Sequence, residues 1–396
     1  MRILHTSDWH LGRSFHNTDM LSCQQHAIDF IVSTITERNI DLVLISGDVY
    51  DRALPPVDAV RMFDQALVDM HAAGAEVVVT SGNHDSAIRL GFMSRMMHDA
   101  GVYIRTMPET VVDPIVFDDG DAGRLCLWTV PYLEPRLHAA EFGVDANHYS
   151  IMSHVMEQVH EVIAERGLAD ATHIMMAHLF AAGATGSESE LNIGEDIGQG
   201  AEVGTLGQVP ADMFRGMDYV ALGHLHGRQS MADTVRYCGS PVAYSFSEHN
   251  HRKGMWLLET DSEGSGPDAV EWIDIPQLKQ LAVLTGEIDD LLESDEYTWA
   301  EEAWCQITVT DPQRPPRAFQ RLKERFPDML NFILAPTGER ERQTTYSDRI
   351  ANAKTDLDLV VDFVEHVRNR PASEQEQSWL QDALHHVNRV QEQDVK

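Results

Sequence analysis

Cysteine is scarce in this chain. Cys23, Cys126, Cys238 and Cys305 are the only four among 396 residues, and no two form a C-x-x-C pair. That scatter excludes a disulfide framework and a zinc knuckle. Long apolar runs are absent as well, with none near the roughly 18 residues a membrane span needs. The N-terminus enters a strand-like run at once (Arg2-Ile3-Leu4-His5), without the basic and apolar regions of a secretory signal. A soluble, cytoplasmic protein is expected. Basic residues are few: 30 Lys and Arg face 63 Asp and Glu, a formal charge of −33. Such a balance argues against a simple nucleic-acid binder, because phosphate affinity comes largely from Lys and Arg. Bound divalent cations, or a partner that does most of the gripping, would relieve that objection. A hydrophobic fraction of 43% is ordinary for a globular chain, and the length allows two or three domains.

What the chain does have is five short polar segments, each placed after an apolar run. They are Asp8-Trp9-His10, Gly47-Asp48, Gly82-Asn83-His84-Asp85, Ala177-His178 and Gly223-His224-Leu225-His226. The runs before them are Arg2–Ser7, Leu42–Ser46, Glu76–Ser81, His173–Met176 and Tyr219–Leu222, and they read as buried strands. In layered α/β folds such strand ends converge on a cleft. Two of these Asp, the Asn and four of the His, meeting there, form an oxygen and imidazole donor set without thiolate. That set suits a pair of divalent metals of the manganese, iron or zinc kind better than a lone structural zinc. Taken singly, each segment also reads as a turn or a surface histidine. It is their order and placement that point to metal-dependent hydrolysis.

The order D-x-H, G-D, G-N-H-D, A-H and G-H-x-H resembles the calcineurin-like metallophosphoesterase superfamily. Thr6-Ser7-Asp8-Trp9-His10-Leu11-Gly12, Gly47-Asp48-Val49-Tyr50-Asp51, Ser187-Glu188-Ser189-Glu190, Tyr219–His226 and Gly239-Ser240-Pro241 narrow this to the SbcD family of DNA double-strand-break-repair nucleases. The resemblance covers about the first two thirds of the chain through its motifs. The last third matches in position and character. It implies a layered α/β sandwich, two mixed sheets flanked by helices, with a small α/β capping domain and C-terminal helices. It also implies two divalent metals, Mn2+ first among them. Metals about 3.5–4 Å apart can clamp an in-line phosphoryl displacement and generate a hydroxide nucleophile. Holding them so close requires an anionic bridge, for which Asp48 is the natural carboxylate. By resemblance, Asp8, His10 and His226 complete one shell, and Asn83, His178 and His224 the other. The resemblance makes His84 the group that protonates the leaving oxygen or steadies the charged phosphorane, with Asp85 orienting it. Some relatives carry a second His shortly after G-D. Asp51 stands at that position here, which leaves its role open.

Composition shifts divide the remainder. Residues 1–276 alternate strands with helices such as Met20–Arg38, Val57–Ala72 and His148–Arg166, and form the expected metallophosphoesterase domain. Gly183–Gly207 reads as a long loop beside the site. Asp261–Pro267 reads as a hairpin tip between strands Met255–Thr260 and Ala269–Ile275. Residues 277–340 are expected as a small α/β capping and DNA-binding domain: strand Leu281–Thr285, helix Ile288–Leu292, strand Trp304–Thr310, helix Pro316–Arg325 and strand Asn331–Ala335. Residues 341–396 are expected as the rest of a polar tether (Gly338–Asp348) and two helices. Apolar stripes at Leu357, Val360, Val361, Val364 and Val367, and at Leu380, Ala383, Leu384, Val387 and Val390, suit those helices to packing within the chain or docking on another one. In the family this region binds an SbcC-type ATPase, which favours docking.

Residues that would touch DNA are less legible. Arg314, Arg317, Arg321, Lys323 and Arg325 cluster, with Arg340 and Arg342 soon after, and Arg317, Arg321 and Arg325 recur at one-face helical spacing. Either a solvated helix face or a backbone-gripping face fits. Arg13, His16 and Arg52 flank the first two motifs and are read in the same two ways. The resulting expectation is a DNA exonuclease and single-strand endonuclease acting on double-strand ends and hairpins in repair and recombination. It would work as a homodimer with an SbcC-type ATPase. The alternatives are a small-molecule phosphodiesterase or nucleotidase on the same fold, and a non-catalytic DNA-end scaffold.

Overall fold

The structure, a computed structural model, describes residues 1–120, 123–187, 208–260, 270–337, 355–368 and 371–394. Two six-stranded mixed sheets form the main body. The first contains β1 (Arg2–Thr6), β2 (Leu42–Ser46), β3 (Glu76–Thr80) and β4 (Val102–Arg105). The second contains β5 (Ile115–Asp118), β6 (Arg124–Val130), β7 (Thr172–His178), β8 (Tyr219–Gly223), β9 (Gln229–Ser230) and β10 (Val235–Tyr237). The chain then returns to the first sheet with β11 (Gly254–Glu259) and β12 (Val270–Asp274). Strand order is β12-β11-β1-β2-β3-β4 in the first sheet and β9-β10-β8-β7-β6-β5 in the second.

Both faces of these sheets are covered, which is why the inner strands read as unbroken apolar runs rather than alternating ones. Ile3, Leu42, Leu44 and Val78 meet Ile174, Met176, Tyr219 and Ala221 between the sheets. On the outer face of the first sheet, Leu4, Val43 and Val77 pack with helix α1 (Leu21–Arg38) and helix α2 (Val57–Ala72) through Ile28, Ile31, Phe63 and Met70. Helix α3 (His148–Glu165) covers the second sheet, setting Ile151, Val155 and Val159 on Trp128 and Met175. Each fully buried aliphatic side chain contributes about 1.5–3 kcal/mol of transfer free energy, so strand registry is strongly specified. β1, β2 and β3 run parallel, as do β6, β7 and β8. Their carboxyl ends carry the polar segments.

A third, parallel sheet of β13 (Leu281–Gly286), β14 (Trp304–Val309) and β15 (Met329–Leu334) has its own core with helices α4 (Ile288–Glu293) and α5 (Ala318–Arg325). Its strands and helices follow the expected order, but α5 starts after Arg317 rather than at Pro316, because Arg317 takes a left-handed φ of 54°. The described chain groups into two compact units. Residues 1–309 and 316–334 form one, and residues 310–315 and 335–396 form the other.

In the second unit, helices α6 (Asp356–Arg368) and α7 (Glu374–Asp394) pack on each other. Leu357, Val360, Val361 and Val364 are half-buried, as are Leu380 and Leu384, whereas Leu359, Val367, Trp379 and Ala383 are exposed. The side chains of Val387 and Val390 lie outside the described residues. So do most of the loop 183–207, the tip 261–267 and the tether 338–348, with Glu188, Ser189, Glu190, Arg340 and Arg342. Among the described residues, no helix is long and apolar enough to cross a membrane.

Candidate metal centre

Four of the motif residues stand in backbone conformations that residues with side chains avoid. Asp8 and His10 after β1 have φ of 55° and 44°, Asp48 after β2 has 47°, and His224 after β8 has 109°. Left-handed backbone costs a non-glycine residue roughly 1–2 kcal/mol, and it persists where surrounding bonds over-determine it. Here they do. The first two loops are zipped by Asp8 N to Gly47 O (3.1 Å), His10 N to Asp48 O (3.0 Å) and Leu11 N to Val49 O (2.9 Å). The His224 amide donates to Asp8 Oδ1 at 2.9 Å, tying the two sheets together at the cleft. Glycine is needed where the loops touch: a Cβ on Gly82 would lie 2.1 Å from Asp48 Oδ1, and one on Gly223 1.8 Å from the Ser46 carbonyl oxygen.

The side chains converge. His10 Nε2 and His226 Nε2 point at each other across 3.0 Å, and Asp8 completes a group with them. His178 Nε2 and His224 Nδ1 both aim at Asn83 Oδ1, at 3.0 and 3.1 Å. Asp48 Oδ2 stands between the two clusters, 3.6 Å from His10 Nε2 and 3.3 Å from His178 Nε2. All seven expected ligands are thus brought together. Asp8, His10, Asp48, His178 and His226 are buried; Asn83 and His224 are partly so.

Electrostatics fit cations there. Ring nitrogens facing one another, with an amide oxygen and a carboxylate between them, place electron pairs where protons are too few to go round. Burial alone would neutralise His178, yet Asp48 and Asp8 push it up to about 9. Burial would likewise raise Asp48, but His178, His10 and His84 hold it well below the usual carboxylate range. Asp8 is raised to about 6, chiefly by burial, with Asp48 adding to the rise and His178 and His226 opposing it. His224 is depressed to about 3 and His10 well below 6.5, both chiefly by burial, which leaves neutral imidazoles ready to ligate. Divalent metals of borderline softness match this donor set.

His84 sits beside the bridge. Its amide donates to Asp48 Oδ1 at 2.9 Å, and its ring Nδ1 lies 2.7 Å from the Asp51 carbonyl oxygen, which leaves Nε2 for the cleft. Its ring nitrogen also falls within the cluster of His10 and Asp48. Asp85 does not orient the His84 ring, contrary to expectation. Its two carboxylate oxygens accept from the Val49, Tyr50 and Gly82 amides, at 3.1, 2.9 and 2.9 Å. With three of about four acceptor sites taken by backbone donors, the carboxylate holds two loops in place, and its hydrogen bonds go to the backbone. The Asp51 carbonyl takes the orienting role, while its carboxylate faces His10, Arg13 and Arg52 at 3.7–3.8 Å.

Several supporting residues escaped the sequence reading. Gln24 on α1 donates to the His10 carbonyl (2.8 Å) and to Tyr244 Oη (3.0 Å). Ser46 O receives His178 Nδ1 at 3.0 Å, which directs Nε2 inward. Glu248 lies behind His226, with Oε1 3.7 Å from Nδ1, and is itself paired with buried Lys253, whose Nζ also donates to the His226 carbonyl at 2.8 Å. Carboxylates behind ligating histidines fix tautomer and ring orientation. The one available signal was the run Ser245-Phe246-Ser247-Glu248 after G-S-P, too common to stand alone.

Residues expected to contact DNA are dispersed. Arg13 lies over the Tyr244 ring, His16 packs on Phe246 and Arg52 is exposed. Arg321 pairs with Asp289, and Arg325 is spent on Glu301 and the carbonyls of Leu291 and Ser294. The three-arginine face is therefore not a row of free cations.

Comparison with known proteins adds to this geometry. Residues 1–162 match the calcineurin-like phosphoesterase family model, and residues 277–368 match one described as a type 5 capsule protein repressor C-terminal domain. The D subunits of nuclease SbcCD from Escherichia coli K12 and O157:H7 are each 29% identical over 359 residues, spanning 86% of this chain and 87% of theirs. A dimetal phosphatase from Danio rerio covers 70% of this chain and 99% of its own at 14% identity and a TM-score of 0.41. Residues 1–162 are thus similar to calcineurin-like phosphoesterases, and the chain is similar over most of its length to the D component of the SbcCD nucleases.

Proposed function

We propose that this protein is a manganese-dependent DNA nuclease of the SbcD type. It would hydrolyse phosphodiester bonds at double-strand ends and hairpins, as exonuclease and single-strand endonuclease, in cytoplasmic DNA repair and recombination. The carrying observation is Asp48, one carboxylate shared by two histidine groups, with His84 beside it. Asp8, His10, Asp48 and His226 would hold one cation, and Asp48, Asn83, His178 and His224 the other. Such cations supply positive charge to the scissile phosphate and acidify water into a nucleophile near neutral pH.

The chain's own residues do the rest. His84 keeps its Nδ1 proton on the Asp51 carbonyl, so proton exchange with the leaving oxygen runs through Nε2. Asp85 holds the loops that carry Asp48 and His84 in register. Arg13, His16, Arg52, Arg317 and Arg321 are proposed backbone contacts, with Arg325 supporting their surface from within. A homodimer is proposed, as is docking of an SbcC-type ATPase on the C-terminal helices. Net charge of −33 makes that partner the main source of DNA grip.

The test is cleavage of a labelled hairpin-ended duplex with Mn2+, comparing wild type and His84→Ala, each with and without an SbcC-type ATPase and ATP. His84→Ala is expected to lose about 10²–10⁴-fold in rate while keeping manganese, since its amide still reaches Asp48. Wild type that turns over a small phosphodiester but never DNA would overturn this in favour of a small-molecule phosphodiesterase.

A further inference from the structure

Two edge strands of the main body carry a feature the metal centre does not use. Arg228 lies two residues after His226, just before β9, the edge strand of the second sheet. Its guanidinium sits in the corner of two indoles, 4.7 Å from the ring of Trp256 on β11 and 4.6 Å from that of Trp272 on β12. The indoles meet edge to face with centroids 4.9 Å apart. Both are fixed by their own N–H groups: Trp256 Nε1 donates to the Tyr237 carbonyl at 3.1 Å, and Trp272 Nε1 to Asp274 Oδ1 at 2.8 Å.

The backbone beneath Arg228 is equally constrained. Gly239 passes so close that a Cβ there would lie 2.5 Å from the His226 carbonyl oxygen and 3.1 Å from the Arg228 amide. Lys253 Nζ holds the same carbonyl. On the far side of Trp256 stands Arg236, nine-tenths buried, with Nη1 lacking a hydrogen-bond partner.

Charge makes this corner unusual. Among the described residues, neither Arg228 nor Arg236 has a carboxylate within ion-pair distance, in a chain with twice as many acids as bases. The nearby acid Asp274 is already taken by Arg252 and Trp272. Arg228 is exposed, so its N–H edge is available. A guanidinium seated against two indoles, with no hydrogen-bond partner among the described residues, presents a fork that can bind a phosphate bidentately.

We infer that Arg228, held by Trp256 and Trp272, binds a backbone phosphate of the DNA strand beside the metal centre. This rests on the nuclease reading above. The corner anchors the strand away from the scissile bond, so it acts on DNA and not on a small diester.

The experiment uses the full chain with Mn2+, an SbcC-type ATPase and ATP. Hairpin-ended DNA and bis(p-nitrophenyl) phosphate are compared as substrates for wild type, Arg228→Gln, Arg228→Lys and Trp272→Leu across a sodium chloride series. For Arg228→Gln, the ratio of kcat/KM on DNA to that on the small diester is expected to fall about five- to tenfold, one charged phosphate contact. The slope of log affinity against log salt should shrink by about 1. Arg228→Lys should recover the slope, and Trp272→Leu should lower the ratio while keeping the charge. An unchanged ratio and slope in Arg228→Gln, with DNA cleavage intact, would overturn this inference alone. Wild type that cleaves only the small diester would overturn the nuclease reading and this inference together.

Discussion

Gly223 shows how little space separates the two sheets at the cleft. A methyl group there would meet the Ser46 carbonyl at 1.8 Å and His178 Nδ1 at 2.8 Å, so either β8 or the Asp48 loop must move. Gly223→Ala is expected to cost about 3 kcal/mol, read as a lower urea midpoint, and to weaken manganese binding in a fluorescence titration. A stable variant with native affinity would contradict that packing. His5 is a second residue with a measurable signature. It is fully buried, with Nδ1 2.9 Å from Tyr219 Oη, and burial depresses it to about 3. Neutral in the fold and protonated in the unfolded chain below about 6.5, it contributes full stability above that pH. The contribution is lost as pH falls from about 6.5 toward 3, by roughly 1.4 kcal/mol per pH unit. His5→Gln should therefore flatten the pH dependence of unfolding between pH 6 and 4. An unchanged slope would mean that other groups carry it.

At the scale of elements, strands were the legible part. β2 covers Leu42–Ser46 as read, and β1 and β3 each end one residue earlier, because a strand buried on both faces betrays itself as an apolar run. The motif order located the loops and the seven side chains that the fold brings together. Asp85 and Glu248 were not legible in the same way. Their partners are backbone amides and a histidine brought near only by the fold, and no local pattern encodes them. The partners of Arg325 were not legible for a related reason: helical spacing says which side chains share a face, not which acids and carbonyls face them. The C-terminal helices divide similarly. Most of the expected α6 stripe is half-buried, while Leu359 and Val367 are exposed. Leu359→Asp with Val367→Asp is expected to reduce co-purification of an SbcC-type ATPase. Complex yield equal to wild type would place docking elsewhere.

For the whole molecule, both sheets contribute to each cation group: Asp8 and His10 from the first meet His226 from the second, and Asp48 and Asn83 meet His178 and His224. Metal binding should then stabilise the body as a unit. At about 100 times the dissociation constant a ligand adds about 2.7 kcal/mol, which corresponds to a rise in Tm on the order of 5 °C. Manganese is expected to raise Tm by that order, chelation to reverse it, and Asp48→Asn to abolish the shift. A wild-type Tm indifferent to manganese would speak against a centre built from both sheets.

His10 and His226 meet across a sequence separation of 216 residues. Nothing near either one in the chain can assemble this centre early, because both sheets must be complete and docked before the two rings face each other. Uptake of divalent metal is therefore expected to serve as a clock for refolding. It marks the moment when the last long-range closure is made, and a newly made chain stays catalytically silent until then.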